Sequence, residues 1–180
     1  RLLLDKKQLD LTLTRLCHQL IEVHEGFENT GLIALQPRGV HFGRVLHKRL
    51  QEILNSGKIP YGELDVTFYR DDFRRRDEPL AAQSTALDFL VEGKDIVLID
   101  DVLFTGRSIR SGLDALLDFG RPNRVELMVL IDRRFSRHLP IQPDYIGQTI
   151  DVVENEVVRV KWDGDEGEVA LQKEKSKNQE

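Results

Sequence analysis

Hydrophobic and polar positions along the chain alternate between long stretches with helical spacing and short apolar runs of strand length. Near the start, Leu9, Leu13, Leu16 and Leu20 recur on one face of a helix, and Gly26 predicts where that helix stops. An apolar run at 31–35 has the length of a strand, and helical spacing resumes over 40–53 until residues 55–57 break it. These patterns predict a first helix followed by a strand-turn-helix unit.

The rest of the chain repeats this alternation of strand and helix patterns. Residues 64–69 alternate as a strand with β-branched and aromatic side chains, and the polar residues 70–84 predict a long loop of the kind that often covers a binding site. Two more apolar runs, at 96–99 and 125–131, flank a helical pattern formed by Ile109, Leu113, Leu116 and Leu117. Beyond Pro140, residues 157–162 and 168–171 around a turn at 163–167 predict a hairpin. Strands alternating with helices predict an α/β fold with a parallel sheet and right-handed crossovers.

Polar residues that suit a phosphorylated ribose follow the apolar run at 96–99. This run reads as a strand buried on both faces, so Asp100 and Asp101 fall at its carboxyl end, where open α/β sheets bind ligands. Two carboxylates accept hydrogen bonds from a diol, and the turn at 105–108 precedes a helix whose amino end favours phosphate. Gly106 lets the backbone approach closely. Each dipeptide alone fits an ordinary strand end or helix cap, but their joint occurrence favours a sugar-phosphate site.

Composition narrows the class of protein further. The 180 residues are one domain's worth, and 31 acidic against 26 basic residues give a net charge of −5, without the strongly basic footprint of many nucleic-acid-binding proteins. The single Cys17 cannot form an internal disulfide, which fits a reducing compartment. No apolar stretch approaches the roughly 18 residues of a spanning helix, and no charged-then-apolar leader opens the chain. We therefore expect a soluble, cytoplasmic protein with no membrane partner.

Residues 100–108 and the strand before them resemble the phosphoribosyl-pyrophosphate (PRPP) motif of the type I phosphoribosyltransferases. The resemblance extends to the PyrR subfamily, whose members are uracil phosphoribosyltransferases and, in some bacteria, regulators of pyrimidine-operon RNA. It covers about residues 9–160. The supporting segments are 13–18, 37–39, 62–72, 120–122, 132–133 and 144–147.

The resemblance implies a type I phosphoribosyltransferase fold, a mainly parallel twisted sheet flanked by helices, with a small C-terminal hood that contains the hairpin. Residues 1–171 would form a single domain. Its core would span about 27–135, and the hood about 136–171 together with the N-terminal segment. Residues 172–180, mostly charged and amide side chains, are expected to form a disordered tail.

The resemblance also implies a reaction, in which PRPP and uracil give UMP and pyrophosphate with Mg²⁺ as cofactor. Asp100 and Asp101 would bind the ribose hydroxyls, stabilise positive charge in the transition state and contact the metal indirectly. Arg38, in a loop with Pro37 and Gly39, would bind pyrophosphate. The PRPP-binding residues of the central motif would be Val102, Leu103, Phe104, Thr105, Gly106, Arg107 and Ser108.

Two more groups of residues follow from the resemblance. The candidate lid begins with Tyr69, Arg70, Asp71 and Asp72, and Arg74, Arg75 and Arg76 lie further along it. At the position of Phe104 the 6-oxopurine enzymes carry an Asp that meets the purine, so Phe104 argues against hypoxanthine or guanine. The candidate base contacts are Phe104, Asp132, Arg133 and the backbone around Tyr145, Ile146, Val157 and Val158.

RNA regulation is a separate prediction. Thr14, Arg15 and His18 match residues that RNA-binding PyrR proteins use, and their spacing groups them on one side of the first helix. Those proteins usually carry positive charges where this chain has Gln36, Gln142 and Gln148, and an extra residue lies between Asp132 and Pro140. Since phosphate contacts supply most nucleic-acid affinity, catalysis is favoured over RNA regulation. A nucleotide-sensing regulator without catalysis and a purine-type transferase stay open as alternatives, and the resemblance implies a homodimer or larger homo-oligomer.

Overall fold

The computed structural model describes residues 1–70, 85–152 and 156–173. Short 3-10 helices lie at Thr67–Tyr69 and Leu117–Phe119. The longer helices are α1 (Lys6–His24), α2 (Gly39–Leu54) and α3 (Arg107–Leu116). The strands are β1 (Leu2–Leu4), β2 (Thr30–Leu35), β3 (Tyr61–Leu64), β4 (Ala86–Leu87), β5 (Asp95–Leu103), β6 (Arg124–Arg134), β7 (Tyr145–Asp151), β8 (Glu156–Asp163) and β9 (Glu166–Lys173).

The strands form a larger, mainly parallel sheet and a smaller antiparallel one. The larger sheet has the order β4-β3-β2-β5-β6-β7, and its neighbours are parallel except for β3 and β4. The smaller sheet has the order β1-β9-β8. The predicted α/β class, parallel sheet and C-terminal hairpin are thus confirmed. β7 was not predicted as a strand, and it extends the larger sheet although it lies within the segment 136–171 that the resemblance assigned to the hood.

β5 is buried on both faces, as predicted for the strand that carries the central motif. Val97 and Ile99 pack into a core with α1 and α2, whereas Ile96 and Leu98 pack into a second core with α3. Burial of each such side chain contributes about 1.5–3 kcal/mol relative to exposure. Packing on both faces of β5 therefore holds in place the residues that follow its apolar run.

The predicted strand over 64–69 is wrong beyond its first residue. The strand at this place is β3, which ends at Leu64. The carboxylate of Asp65 then accepts hydrogen bonds from the N–H and hydroxyl of Thr67, at 2.8 and 2.6 Å. Because this local hydrogen bonding competes with sheet pairing, the alternating residues turn into a 3-10 helix.

The buried face of α3 also differs from the prediction. Ile109 and Leu116 are buried as expected, but Leu113 and Leu117 are 37% and 63% exposed. The helix instead turns Gly112 toward the sheet, where a Cβ atom would lie 2.9 Å from the side chain of Leu35. Glycine on this face lets the helix and the sheet approach closely. The spacing of large apolar residues does not indicate such a contact.

Two remaining predictions concern Cys17 and the C-terminal residues. Cys17 is fully buried on α1, with its sulfur 3.8 Å from the carbonyl oxygen of Leu46, and burial raises its pKa to about 12. The expected tail begins too early, because β9 includes Gln172 and Lys173, and residues 174–180 lie outside the described part. Within the described part, no helix has the length and apolar character needed to cross a membrane.

Candidate active site

The carboxyl end of β5 projects beyond its neighbour β2. Pairing with β2 stops at Ile99, whereas pairing with β6 continues to Leu103 opposite Asp132. Asp100 and Asp101 therefore lie within the strand, not after it as predicted from the apolar run. They are nevertheless at the carboxyl edge of the sheet, at a point where β2 no longer covers one side of β5.

The amino end of α2 lies beside β5 at this point. A Cβ atom on Gly39 would be 2.5 Å from the carbonyl oxygen of Ile99 and 3.1 Å from Cα of Asp100, so this approach requires glycine. Arg38 is the N-cap residue of α2. The structure thus brings the proposed pyrophosphate loop to the two acids of the central motif.

Asp100 and Asp101 are held in an environment that disfavours their charged forms. The Asp100 carboxylate accepts a hydrogen bond from the N–H of Asp101 at 2.9 Å, and the Asp101 carboxylate accepts one from the N–H of Val102 at 2.7 Å. Burial raises the pKa of Asp100 well above its usual range, the charge of Asp101 raises it further, and Arg38 opposes the rise. Burial likewise raises the pKa of Asp101 against the influence of Arg38. Such carboxylates favour ligands that bring hydroxyl donors or positive charge.

The turn between β5 and α3 has the geometry of an anion site. Gly106 is the N-cap of α3 and has φ of +91°, a conformation that favours glycine. The hydroxyl of Thr105 accepts a 3.4 Å hydrogen bond from the N–H of Arg107, and Ser108 is exposed in the first helical turn. N–H groups in the first turn of a helix have no acceptor within the helix, so they are available to a phosphate.

The side chains between the acids and this turn divide between core and surface. Leu103 is buried in the core with α3, and Val102 packs partly against the other core, so their side chains do not line the edge. Phe104 is 45% exposed, and the guanidinium carbon of Arg133 lies 4.0 Å from its ring centroid. Together with Asp132, opposite Leu103, these residues supply an aromatic face, a cation and a carboxylate near the acids.

The other predicted base contacts lie elsewhere. Tyr145 begins β7 at the amino edge of the sheet, where its buried hydroxyl donates to Glu126 at 2.9 Å. The carbonyl oxygen of Ile146 accepts a 3.1 Å hydrogen bond from Arg15. Val157 and Val158 lie on β8 in the smaller sheet, and Val158 is part of the core. The structure therefore does not bring the side chain of Tyr145 or Val158 to the carboxyl edge.

The structure describes only the start of the predicted lid. Tyr69 ends the 3-10 helix that precedes it, and its hydroxyl donates to the carboxylate of Asp118 beyond α3. Arg70 follows in extended conformation. Asp71, Asp72, Arg74, Arg75 and Arg76 lie outside the described residues.

The three candidate RNA contacts lie on one side of α1 but have different hydrogen-bond partners. Thr14 accepts a 2.7 Å hydrogen bond from Arg49 of α2, whereas the guanidinium of Arg15 donates to main-chain carbonyls of β7, including that of Gly147 at 2.5 Å. His18 is exposed on α1. All three residues are in α1, so the predicted grouping on one side of the helix holds, while Thr14 and Arg15 bond to different neighbouring elements.

Arg137 was absent from the predicted site. Its guanidinium donates to the carbonyl oxygen of Phe104 at 2.6 Å and pairs with the carboxylate of Asp132. It belongs to a short segment whose sequence has neither a strand nor a helix pattern, so the spacing of apolar residues did not point to it. One signal was available, since an acid at the end of a buried strand needs a nearby cation and Arg137 is five residues beyond Asp132.

A buried acid pair on a parallel strand, a turn with glycine at the N-cap of α3 and the nearby amino end of α2 are the arrangement that the resemblance implies for a phosphoribosyltransferase. The chain belongs to the phosphoribosyl transferase domain family, whose model matches residues 3–164. Within it the match is to the PyrR subfamily, which confirms the resemblance. A protein from Elusimicrobium minutum named Bifunctional protein PyrR is 41% identical over 172 residues, covering 95% of this chain and 94% of that protein. One of the same name from Desulfosudis oleivorans is 43% identical over 168 residues, covering 93% and 92%.

A solved structure supports the fold independently. A hypoxanthine phosphoribosyltransferase from Staphylococcus aureus superposes with a TM-score of 0.67 at 22% sequence identity, covering 87% of this chain and 81% of the other. At this identity the likeness establishes the fold alone, and the predicted type I phosphoribosyltransferase fold is confirmed.

Proposed function

We propose that this phosphoribosyltransferase transfers the phosphoribosyl group of PRPP to uracil, giving UMP and pyrophosphate. The observation that carries the proposal is the placement of Asp100 and Asp101 between two helix amino ends, those of α2 and α3. PRPP carries a diol flanked by phosphate groups on both sides. The arrangement of acids and helix ends matches that order of groups.

Each part of PRPP has a matching part of the site. The 5′-phosphate would take the N–H groups and hydroxyls of the turn at 105–108, while Asp100 and Asp101 accept hydrogen bonds from the ribose hydroxyls. Arg38 and the main chain around Gly39 would hold the pyrophosphate, because a guanidinium makes paired hydrogen bonds with phosphate oxygens. The sugar would then span the gap between β5 and the start of α2.

The reaction is a displacement at the anomeric carbon of the ribose. The bond from that carbon to a pyrophosphate oxygen breaks, the bond to N1 of uracil forms, and the N1 proton passes to the released pyrophosphate or to water. Positive charge develops on the ribose ring in the transition state, and the carboxylates of Asp100 and Asp101 stabilise it. Arg38 stabilises the negative charge that the departing pyrophosphate gains.

Mg²⁺ fits this site as a partner of PRPP and not as a resident ion. Among the described residues, no group of three or more His, Cys, Asp or Glu side chains could hold a metal. Mg²⁺ commonly binds through one or two carboxylates together with substrate phosphates and water. Asp100 and Asp101 would meet its hydration shell, and the ion would neutralise phosphate charge.

Uracil is favoured over a purine by the edge around Phe104. A purine imidazole nitrogen would need an acceptor there, and the phenyl ring offers none. The Phe104 ring is 45% exposed and has the Arg133 guanidinium 4.0 Å from its centroid, so the aromatic ring can stack with a pyrimidine.

A single assay tests the choice of base. The protein is supplied with PRPP, Mg²⁺ and either uracil, hypoxanthine or guanine, and pyrophosphate release is followed. We expect turnover with uracil and formation of UMP. Turnover with hypoxanthine or guanine alone would assign a purine-type transferase, and nucleotide binding without turnover would indicate a non-catalytic regulator.

RNA binding is a second candidate function because the curated relatives are named bifunctional. Arg15 is bound to carbonyls of β7, and Gln36, Gln142 and Gln148 are neutral. We therefore expect RNA affinity to be weak and to fall steeply with salt, which filter binding at two salt concentrations would measure. Cytoplasmic location and a homodimer or larger assembly stay predictions, and light scattering would test the latter.

A further inference from the structure

Arg137 joins the end of β5 to the chain that follows β6. Its Nη1 lies 2.6 Å from the carbonyl oxygen of Phe104 and 3.3 Å from that of Leu103. Its Nε donates to the carbonyl oxygen of Ile141 at 3.1 Å, and its Nη2 pairs with the Asp132 carboxylate. One guanidinium thus fixes the two residues that lead into the phosphate turn.

The segment around Arg137, residues 136–141, is also attached directly to the phosphate turn. The N–H groups of His138 and Leu139 both lie within hydrogen-bonding distance of the carbonyl oxygen of Thr105, at 3.0 and 3.3 Å. The side chain of Ile141 lies 3.2 Å from the position of a Cβ atom on Gly106. The conformation of this segment therefore bears on the turn that would receive the 5′-phosphate.

Charge adds to this geometric link. The Asp132 side chain is 10% exposed, and Asp132 is the register partner of Leu103, two residues before Thr105. An unpaired carboxylate there would repel a phosphate dianion, and burying one without a cation is costly. Arg137 neutralises it while the fork of its guanidinium reaches carbonyl oxygens on β5.

We propose that Arg137 is a positioning residue for the 5′-phosphate of the sugar substrate. It acts by holding Leu103 and Phe104 and by cancelling the charge of Asp132, without itself touching the phosphate. The inference rests on the proposed phosphoribosyl transfer, since it assigns the phosphate to the turn at 105–108. It predicts that the fork of the guanidinium, and not its charge alone, sets affinity for a ribose phosphate.

Two variants and a control separate these contributions. Arg137→Gln removes the charge, whereas Arg137→Lys keeps a cation for Asp132 but loses the fork. Arg134→Gln is the control. Arg134 is the last residue of β6, three residues before Arg137, and it makes an exposed ion pair with Asp151. The measurements are the dissociation constant for ribose 5-phosphate by calorimetry, KM for PRPP and uracil, kcat, and thermal unfolding.

We expect both Arg137 variants to bind ribose 5-phosphate about 10-fold more weakly or worse, since small misplacements of a binding group have large effects. KM for PRPP should rise more than kcat falls, and Arg134→Gln should match the unchanged protein. Arg137→Lys should stay folded, so the test does not depend on the stability of Arg137→Gln. Affinity restored fully by Lys, or unchanged in both variants, would overturn the proposal.

Ribose 5-phosphate carries no base and needs no turnover, so this readout is distinct from the assay of function. If the unchanged protein binds ribose 5-phosphate but does not use uracil, the variants still decide the role of Arg137. If the unchanged protein does not bind ribose 5-phosphate, the phosphate site and the role of Arg137 both fail.

Discussion

Acidic residues at the two edges of the parallel sheet differ in their hydrogen-bond partners. At the amino edge, the Glu126 carboxylate lies 2.7 Å from Nε2 of His24, accepts from the Tyr145 hydroxyl at 2.9 Å and lies 3.3 Å from Arg124. At the carboxyl edge, Asp100 and Asp101 accept hydrogen bonds from adjacent main-chain N–H groups, and burial raises both pKa values.

This contrast separates acids that stabilise the fold from acids that are proposed to bind a ligand. Glu126 is surrounded by side chains whose hydrogen bonds it completes, so its removal leaves buried partners unsatisfied. Asp100 and Asp101 stay close to a helix terminus and to Arg38 in an environment that disfavours their charge. Substitutions at the two edges should therefore have opposite signatures, one in stability and the other in turnover.

The largest effect is expected for Asp101→Asn. Loss of a carboxylate beside the developing positive charge should lower kcat/KM for PRPP by about 100-fold or more. The melting temperature should not fall, since the substitution removes a buried charge. The control is Asp95→Asn at the other end of β5, where Asp95 pairs with Arg124 at 3.2 Å, and its kcat/KM should be unchanged. Retained activity in Asp101→Asn would remove that residue from the mechanism.

Glu126→Ala should show the reverse signature. His24 and Tyr145 would lose a buried acceptor, so the free energy of unfolding should fall by about 2 kcal/mol, measured by urea denaturation. Turnover per folded molecule should stay within about twofold, because the site is at the opposite edge. A protein of unchanged stability but low activity would contradict the division between the edges.

Gly106→Ala probes the phosphate turn itself. Alanine at this position would have to adopt φ near +91°, and its Cβ atom would lie 3.2 Å from the side chain of Ile141. The turn would therefore shift, and KM for PRPP should rise about 10-fold. Gly164→Ala is a matched control, because Gly164 has φ of +61° in the β8–β9 turn with no atom within 4 Å of its Cβ position. It should lose similar stability without a change in KM.

The smallest expected effect is a change in how stability depends on pH, measured on Asp100→Asn. Because the folded pKa of Asp100 is raised, the folded chain binds more protons than the unfolded chain above about pH 4. The free energy of unfolding therefore falls as pH rises from the pKa of Asp100 in the unfolded chain to its higher pKa in the folded chain. Asn removes the contribution of Asp100 to this decline, so at pH 7.5 the variant should melt at a higher temperature than the unchanged protein. A steeper decline in the variant would contradict the assignment.

The central strand-turn-helix unit was predictable because several local signals coincide there. The apolar run, the paired acids and the glycine before a helical pattern each fix one element, and together they located β5, Asp100, Asp101 and α3. The family resemblance added Arg38 and Gly39, which no local pattern connects to β5. The close approach of Gly39 to β5 became visible only through the fold.

The errors have a common physical origin in contacts that no periodicity records. Asp65 follows β3 and bonds to Thr67, and Gly112 of α3 faces the sheet while Leu113 is 37% exposed. Arg137 contacts the main-chain carbonyl oxygens of Leu103, Phe104 and Ile141, and contacts of this kind carry no sequence signal. Residue type and spacing therefore predicted which elements form, while side-chain-to-main-chain contacts decided their ends and faces.

The burial of Cys17 makes the protein suitable for site-specific labelling. Thiol reagents attack the thiolate, and a fully buried thiol with a pKa of about 12 supplies almost none of it at neutral pH. A cysteine placed at Phe135, which is 88% exposed, would then react alone without removal of the natural one. A fluorophore there would report from the segment directly after β6, close in sequence to His138 and Leu139, which contact the carbonyl oxygen of Thr105.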